Sequence, residues 1–211
     1  MSAPAYSAEA IERGRVLFCG PCEFMLGVAS MSGLPPEGPT EIAFAGRSNV
    51  GKSSLLNALT DRRNLARAST TPGRTQEINF FNLAGALRLV DLPGFGYARA
   101  AKKDAKRWSG LTRDYLKGRP SLRRVCLLID SRHGLKEIDA DVMTLLDQSA
   151  VNYQIVLTKT DKVKPTEALK VAGDVADAIR KRPAAHPVVL KTSAETGEGL
   201  AELRAELAAL A

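Results

Sequence analysis

Short, nearly continuous apolar runs alternate along this chain with longer stretches whose apolar residues recur every three or four positions. The runs at 41–45, 77–83, 87–91, 125–130, 153–158 and 188–192 read as strands. The stretches at 54–59, 101–116, 137–152, 165–181 and 199–210 read as helices; in 137–152, Ile138, Val142, Leu145 and Leu146 fall on one face. The turn at 82–87 predicts an antiparallel hairpin. Repeated strand-then-helix units with apolar strands predict an α/β fold: a mostly parallel sheet, one antiparallel edge strand, and helices on both faces. Such sheets bind ligands at the C-terminal ends of their strands.

They carry the unusual residues. After the first strand comes Gly46-Arg47-Ser48-Asn49-Val50-Gly51-Lys52-Ser53, the pattern GxxxxGK[ST], opening a helix. Its backbone amides form a nest for phosphate, Lys52 reaches the β- and γ-phosphates, and the Ser53 hydroxyl suits Mg²⁺. After the strand at 87–91 comes Asp91-Leu92-Pro93-Gly94, where a carboxylate can hold the Mg²⁺ shell through water and the Gly94 amide can meet a γ-phosphate. After the strand at 153–158 comes Thr158-Lys159-Thr160-Asp161. Asp161 there can accept hydrogen bonds from guanine N1–H and N2–H₂, a donor pair that adenine lacks, while the Lys159 stem covers the base face. Thr192-Ser193-Ala194 follows the last strand and offers amides near the guanine O6.

Composition adds limits. The 211 residues, 45% hydrophobic and 25% charged, suit one domain. No apolar run approaches the ~20 residues of a membrane span, and the first fifteen residues lack a secretory pattern, so a cytoplasmic location without membrane insertion is expected. The first few residues suggest a frayed tail. The net charge of +7 favours an anionic partner. Cys19-Gly20-Pro21-Cys22 spells a thioredoxin-type CxxC, for which residues 16–18 offer a strand, but residues 23–29 read as a second short strand rather than the helix that motif needs. With no further thiol pair, and with His133 and His186 lacking ligand spacing, redox or metal roles are disfavoured.

Residues 41–59, together with Thr71-Pro72-Gly73-Arg74-Thr75-Gln76 and Asp91-Leu92-Pro93-Gly94-Phe95-Gly96-Tyr97-Ala98, resemble the EngB (YihA/YsxC) family of bacterial GTPases. The resemblance covers the chain from about residue 23 onward, leaving 1–22 as a partly flexible N-terminal extension. It implies a Ras-like fold, GTP and GDP as ligands with Mg²⁺, a monomer, a role in assembling the large ribosomal subunit, and an association with cell division and septation. It implies a first switch at Gly73, Arg74, Thr75, Gln76 and Glu77, with Thr75 as a Mg²⁺ ligand beside Ser53 and Asp91; the residues alone leave Thr70 and Thr71 as rivals. It also suggests that Asn49 helps hold a potassium ion against the phosphates.

The Cys19–Cys22 pair, which the family does not need, and Thr158 depart from the pattern, and Phe95 bears on turnover. Thr158 replaces the Asn of many GTPases, whose amide bridges to the phosphate loop, so moderate nucleotide affinity is expected. Phe95 occupies the position where many GTPases place a water-orienting Gln, so slow hydrolysis is expected, with Lys52, Thr75, Gly94 and Asn49 as the catalytic groups. Arg99, Lys102, Lys103, Lys106, Arg107, Arg113, Lys117, Arg119, Arg123 and Arg124, with Trp108 and Tyr115 interleaved, suggest a cationic surface for RNA. The alternatives are a P-loop ATPase or small-molecule kinase, which leaves 158–161 unexplained, and a thiol oxidoreductase.

Overall fold

The computed structural model describes residues 6–66, 77–96 and 110–211. Thr70, Thr71 and the switch residues Gly73 to Gln76 lie outside the described residues, as do Tyr97, Ala98 and the basic run from Arg99 to Trp108.

Among the described residues, seven strands form one sheet: β1 (Cys22–Val28), β2 (Thr40–Gly46), β3 (Ile78–Leu83), β4 (Leu87–Asp91), β5 (Leu122–Asp130), β6 (Tyr153–Thr158) and β7 (Leu190–Lys191). Their order is β1-β3-β4-β2-β5-β6-β7. From β4 to β7 neighbours run parallel, and β3 runs antiparallel to both β4 and β1. The expected α/β architecture is therefore present, with β1 lying outside the one reversed strand.

The helices are α1 (Ala8–Phe18), α2 (Lys52–Leu59), α3 (Gly110–Gly118), α4 (Glu137–Gln148), α5 (Pro165–Ile179) and α6 (Leu200–Ala208). Side chains alternate across a strand, so β2 sends Ala43 and Ala45 to one core and Ile42 and Phe44 to the other. The first core holds Leu127 and Ile129 of β5 with α3, α4 and α5; the second holds Cys126 and Leu128 with α1, α2 and α6. Two buried faces explain why these strands read as unbroken apolar runs.

Residues 16–18 are not a strand but the last turn of α1. Ser7 caps this helix, accepting from the Ala10 amide at 3.1 Å. A Cβ on Gly14 would lie 2.6 Å from the Ala205 amide nitrogen, so α1 meets α6 nearly backbone to backbone. Cys19 thus follows a helix and Cys22 opens a strand, the reverse of the order that activates a thioredoxin thiol. Burial pushes the Cys22 thiol up to about 11 and that of Cys126 to about 12. The strand expected at 188–192 is reduced to two residues. Pro187 has no amide to give, and the Val188 amide turns to the His186 ring at 3.4 Å.

At the end of β2 away from its glycine loop, Glu41 is fully buried. Arg119 donates to both its oxygens, with contacts at 3.0 Å from Nε and 2.5 Å from Nη2; Tyr115 donates at 3.0 Å and Arg88 at 3.4 Å. This cluster ties α3 to the sheet. Arg124 is likewise buried, at 2.8 Å from Glu206, 3.0 Å from Asn152 and 3.1 Å from Gln154. Arg119 and Arg124 therefore do not belong to the expected cationic surface, and Tyr115 is a core residue. Among the described residues, Arg113, Lys117 and Arg123 of that set reach solvent.

Candidate nucleotide site

The parallel topology delivers four loops to one end of the sheet. β2 ends at Gly46, where a Cβ would sit 2.7 Å from Val50 Cγ1 and 3.1 Å from Leu128 Cβ, so only glycine lets the loop fold over the strand end. Asn49 (φ 65°) and Gly51 (φ 105°) adopt left-handed backbone, which turns the chain into α2. The first helical bond runs from the Leu55 amide to Gly51 O at 2.9 Å. Amides before it point out of the helix end, the arrangement that receives phosphate.

β4 lies beside β2 and brings in Asp91, whose carboxylate pairs with the Lys52 ammonium. The chain then runs along the glycine loop: Leu92 N bonds Phe44 O at 3.0 Å, Phe95 N bonds Gly46 O at 3.2 Å, and Ser48 N bonds Phe95 O at 3.0 Å. A Cβ on Gly94 would lie 3.3 Å from Ser48 Cα, so this approach also uses the missing side chain. Phe95 is buried in the apolar core. Next to it Arg47 faces the buried Asp139 of α4 at 3.4 Å, and burial raises the Asp139 pKa.

β6 delivers Thr158 and Lys159. Thr158 Oγ1 donates to Val50 O at 2.6 Å. Threonine thus also reaches the phosphate loop: the hydroxyl is short, but β6 carries it close enough. Lys159 also has left-handed backbone (φ 59°), and its ammonium donates to Asn49 O at 2.6 Å and to Asp130 Oδ2 at 3.0 Å. Thr160 N bonds Thr192 O at 3.2 Å, and Thr160 Oγ1 donates to Glu198 at 2.9 Å. Ser193 Oγ donates to Asp161 Oδ1 at 2.7 Å, with Lys162 at 3.0 Å from Oδ2. The Ser193 bond, then Lys162, holds the Asp161 carboxyl below the usual carboxylate range. The loop from Ser193 to Glu198 closes through Ser193 N to Glu198 O at 3.0 Å.

The phosphate loop (Gly46 to Ser53), Asp91 to Gly94, Thr158 to Asp161 and Thr192 to Ala194 thus share one end of the molecule. Glu77 is described just before β3, where its carboxylate lies over Gly27 of β1. Sequence inspection missed Asp130 and Arg132. Both stand at a strand end, the feature that exposed the other loops.

A family profile described as 50S ribosome-binding GTPase matches residues 41–159. A "Probable GTP-binding protein EngB" of Hyphomonas neptunium is 58% identical over 213 aligned residues, covering 100% of this chain and 97% of that protein. One of Rhodospirillum rubrum is 58% identical over 97% of this chain and 91% of its own length. The chain belongs to the EngB family. It is a GTPase of the class that binds GTP and GDP with Mg²⁺. In fold, it is similar to a crystal structure of a probable GTP-binding protein engB (TM-score 0.64, 23% identity, covering 80% of this chain and 98% of that one). It is also similar to that of Era with MgGDPNP and nucleotides 1506–1542 of 16S ribosomal RNA (TM-score 0.61, 22% identity, covering 82% of this chain and 57% of that one). The residues that this EngB chain places at the sheet end fit such a ligand: outward-facing amides and an ammonium for phosphate, a hydroxyl and a carboxylate for Mg²⁺, and an ionised Asp161 for the base.

Proposed function

We propose that this EngB protein is a slow GTPase switch that acts in large ribosomal subunit assembly in the cytoplasm and is needed for normal division and septation. The observation that carries the mechanism is the attachment of the base loop to the phosphate loop at two successive carbonyls, Asn49 O and Val50 O. That attachment makes recognition of the base and grip on the phosphates one rigid unit. Amides of Gly46 to Ser53 and the Lys52 ammonium bind the phosphates. Ser53, Thr75 and, through water, Asp91 would hold Mg²⁺, which would supply positive charge against the phosphates. The Lys52 ammonium, held beside Asp91, stands at the loop where those phosphates bind. Asp161 selects guanine, with Lys159 against the base face and Thr192 to Ala194 near O6.

Phe95 supplies no hydrogen bond from its side chain to an attacking water, and its burial fixes it in the core. Turnover is therefore slow without another electrostatic element. Asn49, exposed at the loop tip, is placed to help a potassium ion supply it. Hydrolysis is expected to run several-fold faster in potassium than in sodium chloride at equal ionic strength, and equal rates would remove the ion from the scheme. Thr158→Val is expected to weaken GDP binding about tenfold, because it leaves Val50 O without its donor; titration with a fluorescent GDP analogue measures this.

Partner binding is tested by sedimenting the protein with ribosomal subunits in each nucleotide state. The expected result is co-sedimentation with the large subunit that is stronger with GTP than with GDP and falls with added salt. Binding indifferent to nucleotide and salt would overturn it.

A further inference from the structure

Asp130 ends β5 next to the base loop, and its side chain is only 5% exposed. Burial pushes its carboxyl up, yet hydrogen bonds from Arg132 and Lys159 outweigh that and hold it well below the usual carboxylate range. Oδ1 accepts the Arg132 amide and Nε, both at 3.0 Å; Oδ2 accepts Arg132 Nη2 at 2.8 Å and Lys159 Nζ at 3.0 Å. Among the described residues, four donors meet this carboxylate, three of them from Arg132. The fourth belongs to the side chain whose other bond reaches Asn49 O.

Both ends of that second bond are unusual. Lys159 and Asn49 each hold positive φ, at 59° and 65°. Left-handed backbone disfavours a residue with a Cβ and persists where surrounding structure enforces it. The Lys159 stem also runs along the phosphate loop: a Cβ on Gly51 would lie 3.4 Å from its Cε. A lysine with four rotatable bonds would ordinarily sample many directions. Here an ammonium fixed at two points stretches the stem across the loop and sets its place against the base.

We infer that Asp130, itself oriented by Arg132, is a positioning residue for guanine nucleotides that acts through Lys159, pinning its ammonium on the phosphate loop and its stem in the base site. The inference rests on Lys159 facing the base, and it separates two jobs. Asp161 chooses the purine, and Asp130 sets how long any accepted purine stays. Loss of Asp130 should therefore speed release of GDP and of inosine diphosphate equally, because hypoxanthine lacks only the N2 amino group that Asp161 reads.

The test is a double-mutant cycle on dissociation of fluorescent GDP and inosine diphosphate analogues, by stopped flow, from the unmodified protein, Asp130→Asn, Lys159→Met and the double variant. Asp130→Asn is expected to speed release of both analogues about 30-fold, the scale of a charge-assisted bond. In the Lys159→Met background the same change should add less than about twofold. Full additivity would place Asp130 outside the Lys159 route and overturn the inference, as would unchanged release from Asp130→Asn or a changed ratio between the two analogues. Should Asp130→Asn not fold, Arg132→Gln retains the carboxylate and is expected to speed release in the same non-additive way; additivity there overturns the inference equally. An Asp161→Asn arm guards the base-site assignment. If that variant keeps its guanine preference, the site assignment itself fails, whatever the cycle shows.

Discussion

Replacing Asp161 with asparagine is expected to weaken GDP binding about 10³-fold and to transfer the preference to xanthosine diphosphate. Guanine offers N1–H and N2–H₂ side by side, a pair that two carboxylate oxygens can accept. Ser193 orients that carboxylate from 2.7 Å. Asparagine converts one acceptor to a donor, so donor faces donor at the buried base edge, and the cost is that of unpaired polar groups rather than of one mean hydrogen bond. Xanthine carries a carbonyl where guanine carries the amino group and restores the match. Competition titrations with both diphosphates against each protein measure the exchange. Because the folded Asp161 pKa lies below the ordinary 3.8, the carboxylate stays ionised above that value. Its contribution to binding is lost only as pH falls through the lowered value, so guanine preference is expected to be flat from neutrality down to the ordinary aspartate range.

The second large effect belongs to stability. Glu41→Ala is expected to cost about 3–5 kcal/mol, because it leaves Arg119 and Arg88 buried beside a void and removes the acceptor of Tyr115. For a chain of 211 residues that lowers the melting temperature by about 10 °C, at roughly 2–4 °C per kcal/mol. Glu41→Gln keeps the shape and one acceptor, so a smaller loss is expected. Glu41 lies five strand residues from Gly46, a separation of about 16 Å. The fraction of Glu41→Ala that remains folded should therefore bind GDP normally. Thermal melts and GDP titrations on the same samples separate the two effects, and a melting point within 2 °C of the parent would contradict the role given to this cluster.

What the chain declared in advance was local. The glycine loop, Asp91 to Gly94 and Thr158 to Asp161 each follow an apolar strand, and a parallel sheet must gather such ends on one side. What stayed hidden depended on partners far away in sequence. Helix α1 was illegible because Val16, Leu17 and Phe18 alone suit a strand or a helix; α6 decides between them by accepting Gly14 against its backbone. Arg119 and Arg124 counted as surface charge until Glu41 and Glu206 were seen to bury them. The reach of Thr158 to the phosphate loop was hidden because only the register of β6 beside β5, with Thr158 opposite Asp130, shows how near Val50 lies. The same register hid Asp130, whose chemistry emerges only when Lys159, just past the end of β6, reaches across to it.

This sheet end suits a guanine nucleotide. The most direct test is competition of unlabelled GDP and ADP for the unmodified protein preloaded with a fluorescent GDP analogue, with Mg²⁺ present. GDP is predicted to displace the analogue at concentrations at least about 10³-fold lower than ADP. Equal displacement by the two diphosphates would contradict the account.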